Sequence, residues 1–109
     1  MRTRGVSRRD YERLSAETKS KLEGGVDEIK LDLRRYGFSL RFLGLSGRWK
    51  DITAPVFLAQ TEEHYQRQIM GSKWVTATKR RDLVDRISEL YGLASKASPE
   101  GKGLENWLA

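Results

Sequence analysis

Leu83, Val84, Ile87, Leu90 and Tyr91 recur at the i, i+1, i+4, i+7, i+8 spacing of one helix face. A helix with that stripe must bury it against another layer of structure. The segment 79–92 is therefore the element every fold of this chain has to accommodate. Gly92 follows the stripe and is its predicted stop.

The remaining segments are read outward from that helix. Residues 1–9 carry Arg2, Arg4, Arg8 and Arg9 and no acid, a basic arm of the kind that orders on phosphate. Ser7 ahead of Asp10 predicts a helix start. Good helix formers run from there to Glu23, and Gly24-Gly25 end the segment. Its apolar stripe, Tyr11, Leu14 and Leu22, is thin. Residues 26–36 fit two templates: Ile29, Leu31 and Leu33 alternate as in a strand, while Val26, Ile29, Leu33 and Tyr36 line a helix face. Asp27 and Glu28 lead and Arg34 and Arg35 trail, an order that suits the helix dipole and favours the helix.

Phe38, Leu40 and Phe42 alternate with Ser39, Arg41 and Leu43, which predicts a strand over 38–45. Ser46-Gly47 is a turn signal, and 48–53 would return as the second strand of a hairpin. Thr53-Ala54-Pro55 reads as the entry to a helix over 55–70, with Leu58, Glu62, Tyr65 and Ile69 on one face and Gly71 at its end. Lys73–Thr78 is rich in strand formers. The fold class expected is α+β. A small antiparallel sheet of 38–45, 48–53 and 73–78 packs against the 55–70 and 79–92 helices, with one or two helices before it. The organisation is a basic arm (1–9), one domain (10–92) and a tail (93–109) containing Leu104, Trp107 and Leu108. A chain of 109 residues buries only about two thirds of its unfolded surface, so a homodimer is expected.

Composition excludes several functions. There is no cysteine, which rules out disulfides, thiolate zinc sites and a cysteine nucleophile. His64 is the single histidine, so clustered-histidine metal sites are out and no metal or cofactor is expected. No apolar run approaches the ~18 residues of a membrane span, and the N-terminus lacks the apolar stretch of a secretory signal. An intracellular, cytoplasmic setting is the expectation, in a cell or for a virus or phage within one.

What stands out is charge. The chain carries a net +6 and a pI of about 9.8, above the threshold of about 9 that marks nucleic-acid binders. Thr78, Lys79, Arg80 and Arg81 open the 79–92 helix. Cations are unfavourable at the positive end of a helix dipole unless an anion sits there, held by free backbone N–H groups. Arg48-Trp49-Lys50 and Lys73-Trp74 interleave bases with aromatics, as in proteins that contact phosphates and stack on bases. Ser39 and Arg41 share the non-core face of the 38–45 strand, and Arg8 and Arg9 belong to the arm.

Phe38-Ser39-Leu40-Arg41-Phe42-Leu43-Gly44-Leu45-Ser46 resembles a strand of the tombusvirus silencing suppressors. The resemblance implies a homodimer that clamps short duplex RNA on a concave sheet, with Trp residues stacking on the duplex ends. This chain has no paired Trp in its N-terminal region, so selection of duplex length is not implied.

The function expected is non-enzymatic nucleic-acid binding through the phosphate backbone, with structured or double-stranded RNA ahead of DNA. One alternative is a viral or phage assembly module whose charge is incidental. Another is a small toxin-type ribonuclease using His64, with Tyr65 and Arg67 assisting.

Overall fold

The computed structural model describes residues 5–97, and among these the regular structure is all helical. The elements are α1 (Arg8–Glu12), α2 (Ala16–Arg35), α3 (Ala54–Ala59), α4 (Glu62–Met70) and α5 (Ala77–Ala97), with a 3-10 turn at Trp49–Asp51. The α+β expectation is therefore overturned: none of 38–45, 48–53 or 73–78 is a strand. Arg2, Arg4 and the tail residues from 98 onward lie outside the described residues.

Long α2 and long α5 pack against each other and form the frame. They run antiparallel, because Gly25 abuts Leu90, Asp32 pairs with Arg86 at 2.6 Å, and Tyr36 lies under Lys79. Leu22, Val26, Ile29 and Leu33 bury one face of α2, as the helix template for 26–36 required. Leu83, Val84, Ile87, Tyr91 and Ala94 bury the matching face of α5. At about 1.5–3 kcal/mol per fully buried large aliphatic side chain, these two stripes contribute a large part of the apolar stabilisation, alongside Phe57, Leu58, Tyr65 and Ile69 from α3 and α4.

Two helix boundaries differ from expectation. Ser7 Oγ accepts from the Asp10 amide at 3.1 Å, as its sequence context predicted. That helix stops at Glu12, and Ser15 Oγ caps a new one by accepting from the Thr18 amide at 3.1 Å. α2 then runs through Gly24-Gly25. The pair is no stop, and Gly25 makes room for the facing helix: a Cβ there would lie 2.4 Å from Leu90 Cδ2. Similarly, α5 passes Gly92 and continues to Ala97. Tertiary burial of Tyr91 and Ala94 outweighs a glycine penalty of about 1 kcal/mol.

The three expected strands are short hydrogen-bonded turns. After α2, the Phe38 amide donates to Leu33 O at 2.9 Å and the Gly37 amide to Arg34 O at 3.1 Å. Gly37 has φ +91°, so α2 ends in a Schellman motif. The same pattern repeats one turn later. Ser39 Oγ accepts from the Phe42 amide at 3.1 Å, Leu45 N donates to Leu40 O at 2.8 Å, and Gly44 N donates to Arg41 O at 3.0 Å. Gly44 has φ +78°. The alternation that suggested a strand is thus a capped helical turn, in which Phe38, Leu40 and Leu43 are all buried. Segment 48–53 contains the 3-10 turn, tied down by Lys30 Nζ, which donates to Trp49 O at 3.2 Å and Ile52 O at 2.7 Å. In 73–78, Val75 enters the core and Thr76 caps α5, its Oγ1 accepting from the Lys79 amide at 3.3 Å.

The expected 55–70 helix is broken at Gln60. Thr61 caps α4 by accepting from the His64 amide at 3.1 Å. The carbonyls at the end of α3 are met by two tyrosines. Tyr65 donates to Phe57 O at 2.6 Å, and Tyr91 donates to Leu58 O at 3.3 Å and to Gln60 O. Val6 N bonds Leu58 O at 2.7 Å, so part of the expected arm lies on α3.

Two predictions follow from this packing. Gly24 has open space around it, so Gly24→Ala should raise stability by about 1 kcal/mol, the helix-propensity gain. Gly25→Ala should lower the thermal midpoint relative to Gly24→Ala, because Leu90 must move. Equal gains from both in thermal melts would refute the close approach. Burial raises Tyr65 above its ordinary pKa of 10.0. Burial also raises Tyr91, with smaller contributions from Tyr65 and Glu62. The native state keeps these protons where the unfolded chain releases them, so stability is full below pH about 10 and falls above it. Urea melts across that range should show a steep alkaline decline, flattened in Tyr65→Phe/Tyr91→Phe. That double variant should lose about 1–3 kcal/mol per unsatisfied carbonyl site at neutral pH.

Candidate nucleic-acid interface

The antiparallel frame brings the C-terminal end of α2 to the N-terminal end of α5. Two stretches without a single acid flank that junction in sequence. Residues 33–50 contain Arg34, Arg35, Arg41, Arg48 and Lys50. Residues 64–81 contain Arg67, Lys73, Lys79, Arg80 and Arg81. The fold joins them through Trp74, whose Nε1 donates to Tyr36 O at 2.8 Å. Its ring lies 5.2 Å from Phe38 and 5.3 Å from Phe42, centroid to centroid.

Trp74 is 55 % exposed, a high value for so large an apolar side chain. The one polar group of its side chain is spent inward on Tyr36 O, so what the indole itself can offer to solvent is carbon.

The helix-end cations divide into two sets. Lys79 Nζ stands 4.9 Å over the Tyr36 ring, a cation–π contact worth about 0.5–1 kcal/mol at such a site. Arg80 Nη1 donates to Met70 O at 2.7 Å, placing a guanidinium on the last carbonyl of α4, at the negative end of its dipole. These two serve the fold. Arg81 is exposed, and so is Thr78, the second residue of α5. The helix opens at Ala77 with Thr76 as its hydroxyl cap, two residues before the Thr78 opening expected from the sequence.

Other expected site residues are placed as follows. Arg41 and Lys73 are exposed and form no ion pair among the described residues. Ser39 is committed to capping its turn. Arg48 pairs with Asp51 at 3.7 Å. Trp49 is half-buried, with the Arg34 guanidinium 5.9 Å from its ring centre. Trp49 and Lys50 line a shallow cleft with Asp27, Lys30, Leu31 and Arg34, of about 270 Å³. Arg8 and Arg9 are exposed on α1, which packs on α3 and not on the α2–α5 junction.

The structure therefore unites Trp74, Lys79 and Arg80 with the segment bearing Ser39 and Arg41, and leaves Arg8 and Arg9 elsewhere. Tyr36, Phe38 and Phe42 are site residues that sequence reasoning assigned only to the core. The two acid-free stretches were the available signal for them.

His64 is turned onto the backbone of the 40–45 turn: a Cβ at Gly44 would lie 2.7 Å from its Nε2. Its neighbours are engaged. Gln66 Nε2 donates to Glu62 at 3.0 Å, Arg67 pairs with Glu63 at 3.3 Å, and the Tyr65 hydroxyl holds Phe57 O. The duplex clamp implied by the resemblance of 38–46 has no sheet to form on, since that segment is a capped turn.

No helix among the described residues is long and apolar enough to cross a membrane. Comparison with protein-family models, with curated proteins and with solved structures finds no match to this chain.

Proposed function

We propose that this chain is a non-enzymatic nucleic-acid-binding domain whose contact face is the α2–α5 junction around Trp74. One observation carries the reading: an exposed, internally bonded indole lies where segment 36–42 meets segment 70–80, both of them cation-bearing and free of acids. Cations grouped without interspersed acids create a positive potential that attracts phosphates and raises association rates. Arg41, Lys73 and Arg81 have no internal partner among the described residues and supply the phosphate contacts. Lys79 and Arg80 hold the face together. The ribonuclease alternative draws less support, because the groups around His64 are already bonded to one another or to the backbone. A homodimer, expected from the small core, would present two such faces, and light scattering on the free protein reads its mass.

The test is a titration of RNA and DNA oligonucleotides at about 50 and about 200 mM salt. Wild type should bind and weaken steeply with salt. Arg41→Ala/Lys73→Ala/Arg81→Ala should bind more weakly, its log K against log salt flatter by about 2 for a single strand. A charge-matched control, Lys19→Ala/Lys21→Ala/Lys96→Ala, removes equal charge from the opposite end of the α2–α5 pair. It should lose much less. Equal losses from both triple variants would mean that net charge alone drives binding. No binding at the lower salt would end the nucleic-acid reading and turn attention to a protein partner.

A further inference from the structure

We infer that Trp74 is a stacking platform for an unpaired base, so that the face takes single-stranded nucleic acid in preference to duplex. The inference rests on the nucleic-acid reading above and adds the conformation of the strand it selects.

Three observations support it. First, the indole is held in place. Its Nε1–H is bonded to Tyr36 O at 2.8 Å, and Phe38 and Phe42 brace it at 5.2 and 5.3 Å. A ring fixed before binding loses little entropy when a base stacks on it. Second, Trp74 is 55 % exposed, and its side chain has no hydrogen-bonding group left once Nε1 is bonded to Tyr36 O. A carbon surface of this kind gains from a flat partner with its own π-face, and any base supplies one regardless of sequence. Third, the surroundings suit a strand with charges on one side and bases on the other. Arg41 precedes Phe42 in the turn that braces the indole, Lys73 adjoins Trp74 in the chain, and Lys79 lies over the ring of Tyr36, whose carbonyl holds the indole. No carboxylate falls within either stretch, and the flanking Asp32, Asp51 and Glu63 are paired with Arg35, Arg48 and Arg67, while Arg41 and Lys73 form no ion pair among the described residues. Within a duplex the base faces are covered by their neighbours, so an unpaired strand is the form that can use this ring.

The experiment uses the full chain with Trp49→Phe and Trp107→Phe, which leaves Trp74 as the only indole of the original three. Its fluorescence is followed while an oligo-U strand, an oligo-dT strand and a blunt duplex, each of about twelve nucleotides, are added separately. Single strands should quench Trp74 emission along the binding curve. They should also compete better than the duplex. Trp74→Leu should weaken single-strand binding by between about fivefold and about a hundredfold. It should leave duplex binding and the salt slope unchanged. Trp74→Phe, which keeps a ring, should recover part of the loss, and helical circular dichroism verifies that both variants are folded. A stronger response to oligo-U than to oligo-dT, or the reverse, identifies the preferred sugar and supports the inference in either case. If duplex and single strands bind equally, or the duplex quenches as strongly, the stacking inference is overturned while the nucleic-acid reading stands. If no oligonucleotide binds even at low salt, both are overturned together.

Discussion

The antiparallel contact of α2 with α5 is the interaction on which the rest of the molecule depends. Leu22, Val26, Ile29 and Leu33 on α2 and Leu83, Ile87, Tyr91 and Ala94 on α5 are all buried in the core that the two helices share. The contact is tight because Gly25 admits Leu90. It is held in register on its polar edge by Arg86, which bonds Asp32 at 2.6 Å and Asp82 at 3.1 Å. Once two helices of this length are aligned, the shorter elements have little freedom. α4 lies against α5, α3 against α2, and α1 closes over α3. Tyr65 and Tyr91 then secure the end of α3 by taking its carbonyls, a role no residue of that six-residue helix performs.

The same alignment has an electrostatic consequence. Lys79, Arg80 and Arg81 begin at the third position of α5, where the helix dipole disfavours positive charge. Local sequence does not relieve this. Relief for two of the cations comes from other elements: Tyr36 at the end of α2 offers its ring to Lys79, and Met70 at the end of α4 offers its carbonyl to Arg80. A helix N-terminus and two helix C-terminal ends thus meet at one corner of the fold. Arg81, Lys73 and Arg41 remain without such partners among the described residues, and Lys73 adjoins in sequence the indole that the same corner holds in place. Groups that serve the fold and groups open to a ligand therefore stand side by side, which is why a variant of Lys79 or Arg80 would mix folding with binding.

The structure corrects the strand assignments for a physical reason that Ser39 and Gly44 make concrete. A strand gains its stability from a partner strand, and alternation of apolar residues says only that two faces differ. In 38–45 the side chain of Ser39 supplies a cap, Gly44 accepts a positive φ, and the backbone satisfies itself within a single turn. Thr76 and Lys30 do comparable work for the other two segments. No pairing was then needed, and the duplex clamp that a sheet would have provided went with it. Gly24-Gly25 misled in the opposite sense. Read locally, the pair is a helix stop, yet burial on both sides carries α2 through it.

What the sequence determined by itself is what depends on neighbours within about one helical turn. That covers the stripe of α5, the helix choice for 26–36 with its ordered charges, the Ser7 cap, the Pro55 entry to α3 and the basic balance of the chain. Trp74 and its neighbouring lysine were legible as a pair but not as exposed or buried, since an indole suits either setting. Tertiary structure alone decided that Trp74 would spend its N–H on Tyr36 and yet stay 55 % exposed. It alone brought segments 36–42 and 70–80 to one corner and gave Lys79 and Arg80 internal partners. Those outcomes required elements far apart in the chain to meet, and their meeting was set by burial of the α2 and α5 stripes, which no local pattern encodes.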